Sequence, residues 1–152
     1  MIEIIPFEEK YEAAFKALNL VWLDEYQLTE SHDLMVLNDP RATIIDNGGT
    51  IFLARIENEI VGTAALMKEK EGEFELAKMT VAEKHRGKGI SKLLMMRCLE
   101  AARSIKATKI SLFSNHQLQT AIALYKQFGF EHVPVVHSPF ETADIKMELM
   151  LK

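Results

Sequence analysis

A chain of 152 residues with a formal charge of −4, 48% hydrophobic residues and 26% charged residues has the size and balance of one globular domain, taken as residues 1–152. This composition excludes a disordered or collagen-like chain, and the negative charge argues against nucleic acid as a partner, because phosphate backbones recruit concentrated Lys and Arg. No apolar run reaches the roughly 18 residues that cross a bilayer, the first six residues lack the basic start of a signal peptide, and the single Cys98 has no internal disulfide partner, so a cytoplasmic protein without membrane contact is expected.

Residues 1–6 read as a short strand, and a helix follows in which Tyr11, Ala14, Phe15, Leu18, Val21 and Trp22 recur at helical spacing. A second, short helix is expected with Thr29 or Ser31 as N-cap, ending near Asn38-Asp39-Pro40 because proline disfavours helix at the residue before it. Asp46-Asn47-Gly48-Gly49 is a turn. Residues 50–56, 59–66 and 74–81 then read as three consecutive strands joined at Glu57-Asn58 and Glu71-Gly72, which makes an antiparallel meander.

The second half changes character. Ile90, Leu94, Cys98, Ala101 and Ile105 mark a helix, residues 109–114 a strand, and residues 117–128 a helix closed by Gly129. Residues 131–136 and 143–151 are the last strands, around the loop His137-Ser138-Pro139-Phe140. The order β-αα-βββ-α-β-α-ββ belongs to the α+β class, as a three-layer α/β/α domain with a mixed, mainly antiparallel central sheet.

The stretch Met79-Thr80-Val81-Ala82-Glu83-Lys84-His85-Arg86-Gly87-Lys88-Gly89-Ile90 runs from a strand through two glycines into a helix. Glycine lets backbone approach a ligand, and a helix start offers free N–H groups and a positive dipole end to an anion. Lys84, Arg86, Lys88 and Lys92 concentrate positive charge there, where helix starts ordinarily favour acidic residues. A Walker A loop is absent, and a dinucleotide fingerprint fails because Lys92 stands where its third glycine or alanine belongs. The bland alternative is a surface turn that opens a helix.

Lys84-His85-Arg86-Gly87-Lys88-Gly89 resembles motif A of the GNAT superfamily of N-acetyltransferases, Gln/Arg-x-x-Gly-x-Gly/Ala, with Lys84 in the Gln/Arg place. The segment Ser114 to Phe130, with Ala121-Ile122-Ala123-Leu124-Tyr125 followed by Gly129-Phe130, resembles motif B of the same superfamily, and one helix and one strand separate the two motifs as in that family. Three positions depart from the common pattern: Glu83 for proline, Ser91 for a third glycine and Leu118 for asparagine.

The resemblance implies that acetyl-CoA lies in a V-shaped gap between the strands ending at Val81 and Ser114. Backbone around Met79 and Val81 would meet pantetheine and the thioester carbonyl, and amides of Arg86, Gly87, Lys88, Gly89, Ile90 and Ser91 would hold the pyrophosphate. Asn115 is a further candidate contact, with an ordinary turn residue as its alternative.

Tyr125 matches the family tyrosine that protonates the departing thiolate, with a packed core aromatic as the alternative. Glu75 precedes Val81 by six residues, so period-two alternation predicts both side chains on one face, toward the cleft, with Glu75 as a candidate general base or a solvent-facing strand residue. No metal is expected, since His32, His85, His116, His132 and His137 show no ligand spacing, and Cys98 reads as packing. Asp24, Glu25, Glu30 and Asp33 read first as a solvated helix face and second as an attractor for a cationic amine.

Together these readings predict direct acetyl transfer in a ternary complex to a small amine or amino-acid-like metabolite. A lysine or N-terminal peptide acceptor, an inactive acyl-CoA-binding module and a purely structural domain are the rivals, and a homodimer is among the open assembly states.

Overall fold

Neighbouring residues of one strand divide between two cores. In the computed structural model, which describes residues 1–136 and 138–151, Phe52 and Ala54 pack with Ile90, Leu94 and Cys98, while Ile51 and Leu53 pack with Phe15, Val36 and Leu37. That period of two places a sheet between two helical layers. The sheet has seven strands: β1 (Ile2–Pro6), β2 (Thr50–Ile56), β3 (Glu59–Lys70), β4 (Glu73–Val81), β5 (Lys109–Ser114), β6 (Glu131–Val133) and β7 (Ile145–Met150). Their order is β1-β2-β3-β4-β5-β7-β6, antiparallel throughout except for β4 beside β5. Helices α1 (Glu12–Glu25) and α2 (Ser31–Asn38) cover one face, and α3 (Ile90–Ser104) and α4 (Gln119–Gln127) the other. The α+β, three-layer expectation is the observed architecture.

Local differences have local causes. α1 buries Phe15, Asn19 and Leu23, whereas Val21 is 67% exposed. Asn19 tolerates burial because its amide donates to the Phe15 carbonyl and to Thr63 Oγ1. The N-cap of α2 is Glu30 rather than Thr29 or Ser31; the Asp33 carboxylate accepts the Glu30 N–H at 2.9 Å, and the Thr29 hydroxyl goes to Asp24 instead. α3 stops at Ser104, leaving Ile105 exposed, and β6 is only three residues long. Of the segment around residues 134–143, His137 lies outside the described residues, as does Lys152 at the end of the chain.

Two features of β4 shape the site. β4 and β5 pair only at Glu73↔Lys109, Phe74↔Ile110 and Glu75↔Ser111, although they continue to Val81 and Ser114. The sheet therefore forks just beyond Glu75. On its other edge β4 slips register against β3, where Thr63 and Ala65 face Thr80 and Ala77, and Lys78 sits there with φ 53°. This is a bulge, one extra residue in one strand.

The bulge reverses the pleat. Phe74, Leu76 and Val81 all join the core under α3, so Glu75 faces the α1–α2 layer. Simple alternation from Glu75 to Val81, which put both on one face, is thus corrected: the extra residue at Lys78 turns them to opposite faces. α3 is set closely on β3 at Gly62, where an added Cβ would lie 3.1 Å from Leu94 Cδ1 and 3.2 Å from Ile90 Cγ2. That contact fixes the start of α3 beside the end of β4.

Candidate active site

The fork opens a cavity of about 480 Å³ whose wall takes residues from both layers of the molecule. Gly87 and Gly89, with φ 81° and 79°, form its rim, and Gly89 is the N-cap of α3. A Cβ at either glycine would meet nothing within 4 Å, so the space above the loop is open. Free N–H groups of the α3 start and the cations Arg86 and Lys92 of the wall border that space. Their chemistry fits a pyrophosphate. The Arg86 guanidinium donates to the Val81 carbonyl at 3.2 Å and so ties the loop to the end of β4.

Of the residues expected at this rim, Met79, Val81, Arg86, Gly87, Gly89, Ile90 and Ser91 line the cavity. Lys88 does not; it is exposed, with Nζ 3.0 Å from His85 Nδ1. Lys84, the departure in the motif, points away to Glu59 at 3.2 Å. Asn115 lines the cavity, but its side chain is committed at both ends, donating to the Thr142 carbonyl at 2.8 Å and accepting the Gln117 N–H at 3.0 Å.

Tyr125 enters the wall from α4. The helix closes behind it in a Schellman turn, with Phe130 N–H to the Tyr125 carbonyl at 3.1 Å, Gly129 N–H to Lys126 at 3.0 Å, and Gly129 at φ 97°. Its ring packs 6.0 Å from that of Phe130. Burial pushes the phenol up to about 12, which keeps its proton on at neutral pH.

Glu75 is the last β4 residue paired with β5, at the crotch of the fork, and only 8% exposed. Burial raises its carboxyl to about 7; Glu69 and Asp33 add to the shift, and Lys78 and Lys146 oppose it. A carboxylate with that value can exchange a proton near neutrality.

Lys78 was not foreseen in the site. Its Nζ lies 2.5 Å from Asp33 Oδ1, both side chains are nearly inaccessible, and the ammonium sits 5.3 Å from the centre of the Phe140 ring. A lysine between Ala77 and Met79 in an apolar strand was a signal that a buried carboxylate had to exist somewhere. Phe140 in turn stacks edge-on to His32 at 4.9 Å and to Phe113 at 6.2 Å. Its segment is held by Glu30, whose carboxylate accepts from the Glu141 and Thr142 N–H groups at 2.9 Å each and from the Thr142 hydroxyl.

The acidic residues 24–33 are therefore not one solvated face, because Glu30 and Asp33 each hold a specific partner. Among the described residues no three His, Cys, Asp or Glu side chains gather as a metal site, and no helix is long and apolar enough to cross a membrane. Cys98 is buried, and burial pushes its thiol up to about 12, which suits packing rather than chemistry.

A forked α+β sheet with an open, cation-bordered glycine loop at the fork is a scaffold shared with known proteins. The pattern of the acetyltransferase (GNAT) family matches residues 11–130, and the chain belongs to that family. The uncharacterized N-acetyltransferase YvbK of Bacillus subtilis is 27% identical over 121 residues, 78% of either chain. The N-acetylaspartate synthetase of Xenopus tropicalis is 37% identical over 90 residues, which cover 59% of this chain and 33% of that protein. This chain thus spans only a third of that relative. A GNAT acetyltransferase from Staphylococcus aureus Mu50 superposes over 100% of both chains with a TM-score of 0.92 at 21% identity. The PaiA N-acetyltransferase of Thermoplasma acidophilum, solved in complex with coenzyme A, superposes over 99% of both chains with a TM-score of 0.78 at 14% identity.

Proposed function

We propose that the protein is an acetyl-CoA-dependent N-acetyltransferase of the cytoplasm that moves acetyl to a small primary amine or amino-acid-like metabolite, by direct attack in a ternary complex. One observation carries this reading: a single cavity joins the open glycine rim on one face of the sheet to the buried Glu75 on the other, through the fork between β4 and β5. The complex of PaiA with coenzyme A, on the same fold, supports the choice of donor.

The amides of the loop 86–91, with Arg86 and Lys92, would hold the pyrophosphate, and backbone around Met79 and Val81 the pantetheine arm. The donor supplies an acetyl thioester, whose C–S bond breaks as the amine nitrogen bonds to the carbonyl carbon. Glu75, as carboxylate, takes the proton that the amine must lose. The Val81 N–H stabilises negative charge on the carbonyl oxygen, a contribution of roughly 10²–10³ in rate in comparable sites. Tyr125 hands its proton to the sulfur, and proton and electron pair are then accounted for.

The test is calorimetric binding of acetyl-CoA together with CoA release on a broad amine panel. Tight binding with release dependent on an amine is expected. Binding without release on any amine would leave an acyl-CoA-binding module, and failure to bind any CoA ester would leave a structural domain.

A further inference from the structure

The acceptor side of the cleft has a chemistry of its own. β5 sends Ile110 and Leu112 into the core under α3, so Phe113 faces the α1–α2 layer. There it meets a wall of Trp22, Tyr26, Leu28 and Phe140. The Trp22 indole N–H reaches Asn19 Oδ1 at 3.4 Å, which leaves the ring as a flat apolar surface.

Three charged groups of the cavity wall, Lys78, Asp33 and Glu75, face this chamber, and Lys146, 5.4 Å from the centre of the Phe113 ring, stands beside it paired with Glu148. Lys78 is neutralised by Asp33 at 2.5 Å, and the Phe140 ring covers its ammonium. The remaining cations of the wall, Arg86 and Lys92, belong to the glycine rim at the far end. Of the two carboxylates in the cavity wall, Asp33 and Glu75, Glu75 is the one without a cation in hydrogen-bonding contact among the described residues. An acceptor carboxylate would be taken out of water beside Glu75, where the nearby cations Lys78 and Lys146 already hold Asp33 and Glu148, at a large desolvation cost. A polyamine would find a single carboxylate for its several charges.

We propose that the acceptor is a monoamine with an aromatic or bulky apolar body and no carboxylate, an arylalkylamine being the simplest example. This rests on the transferase reading above and narrows it.

The chain's one tryptophan, Trp22, lines the chamber and reports on it directly. With CoA present, titration with 2-phenylethylamine should change Trp22 fluorescence saturably, while phenylalanine, the same body with a carboxylate, should not at equal concentrations. In CoA release at saturating acetyl-CoA, kcat/KM for 2-phenylethylamine should exceed that for phenylalanine, spermidine or a lysine peptide by about 100-fold. Phe140→Ala should raise KM for 2-phenylethylamine by about 10-fold with calorimetric acetyl-CoA affinity unchanged. Preference for phenylalanine, spermidine or the peptide, with acetyl-CoA binding intact, would overturn the acceptor assignment alone. Loss of acetyl-CoA binding in the unaltered protein would overturn the transferase reading, and this one with it.

Discussion

Lys78 and Asp33, 45 residues apart in sequence, meet at 2.5 Å in the interior and lock α2 to the bulge of β4. Each charge is out of water, so either partner alone is costly, while the pair against an apolar replacement is close to neutral. Lys78→Met should lower unfolding free energy by about 3–5 kcal/mol, and adding Asp33→Asn should recover part of that loss. Urea unfolding of the two single variants and the double variant measures the coupling; additive losses would show that the contact is incidental.

Glu75 predicts opposite pH trends for activity and stability. As the base, its carboxylate form is required, so kcat/KM should rise with pH through about 7, and Glu75→Gln should flatten that limb and lower the rate by roughly 10²-fold. For stability, the folded value of about 7 lies above the ordinary 4.5, so the folded state holds the proton longer. Stability is then full below pH 4.5 and falls as pH rises through 7, by at most about 3 kcal/mol. Glu75→Gln should therefore melt higher than the unaltered protein at pH 8 and close to it at pH 4.5. Equal melting temperatures at pH 8 would show that the carboxyl is not raised.

At the glycine rim, Gly89→Asp should weaken acetyl-CoA binding by at least about 10-fold, through like charge at the pyrophosphate position. Gly89→Ala separates charge from strain, since any side chain at φ 79° costs roughly 1–2 kcal/mol whatever the space above it. Calorimetry on both folded variants decides, and an Asp variant that binds like the Ala variant would move the pyrophosphate elsewhere.

Tyr125→Phe removes one oxygen from a packed ring. Acetyl-CoA affinity should hold while turnover drops by roughly 10–10³-fold. Unchanged turnover with a working acceptor would give the sulfur its proton from water.

The elements on which alternation and glycine punctuation act were legible in the sequence: the meander 50–81, the rim at Gly87 and Gly89, and the helix that carries Tyr125. The phase of β4 was not, because Lys78 adopts φ 53° with no glycine or asparagine to announce it. Hence Glu75 lines the cleft, but from the face opposite that of Val81. The Asp33–Lys78 pair was equally hidden, since periodicity reports which face a residue takes and not which distant partner meets it. Caps failed for a related reason: Thr29, a good N-cap by type, spends its hydroxyl on Asp24, and Asp33 closes α2 from within.

Because β4 changes phase at Lys78, one strand serves two rooms. Glu75, before the bulge, looks toward α1, α2 and the segment 138–143, whereas Met79 and Val81, after it, look toward the layer of α3 and α4. Replacing Glu75 would change what is admitted on that side without re-aiming Met79 or Val81, whereas deleting a single residue at 78 would turn both inside out. On the proposed function, recognition of the amine would be mechanically uncoupled from recognition of the donor, and the one could drift while the other stands still.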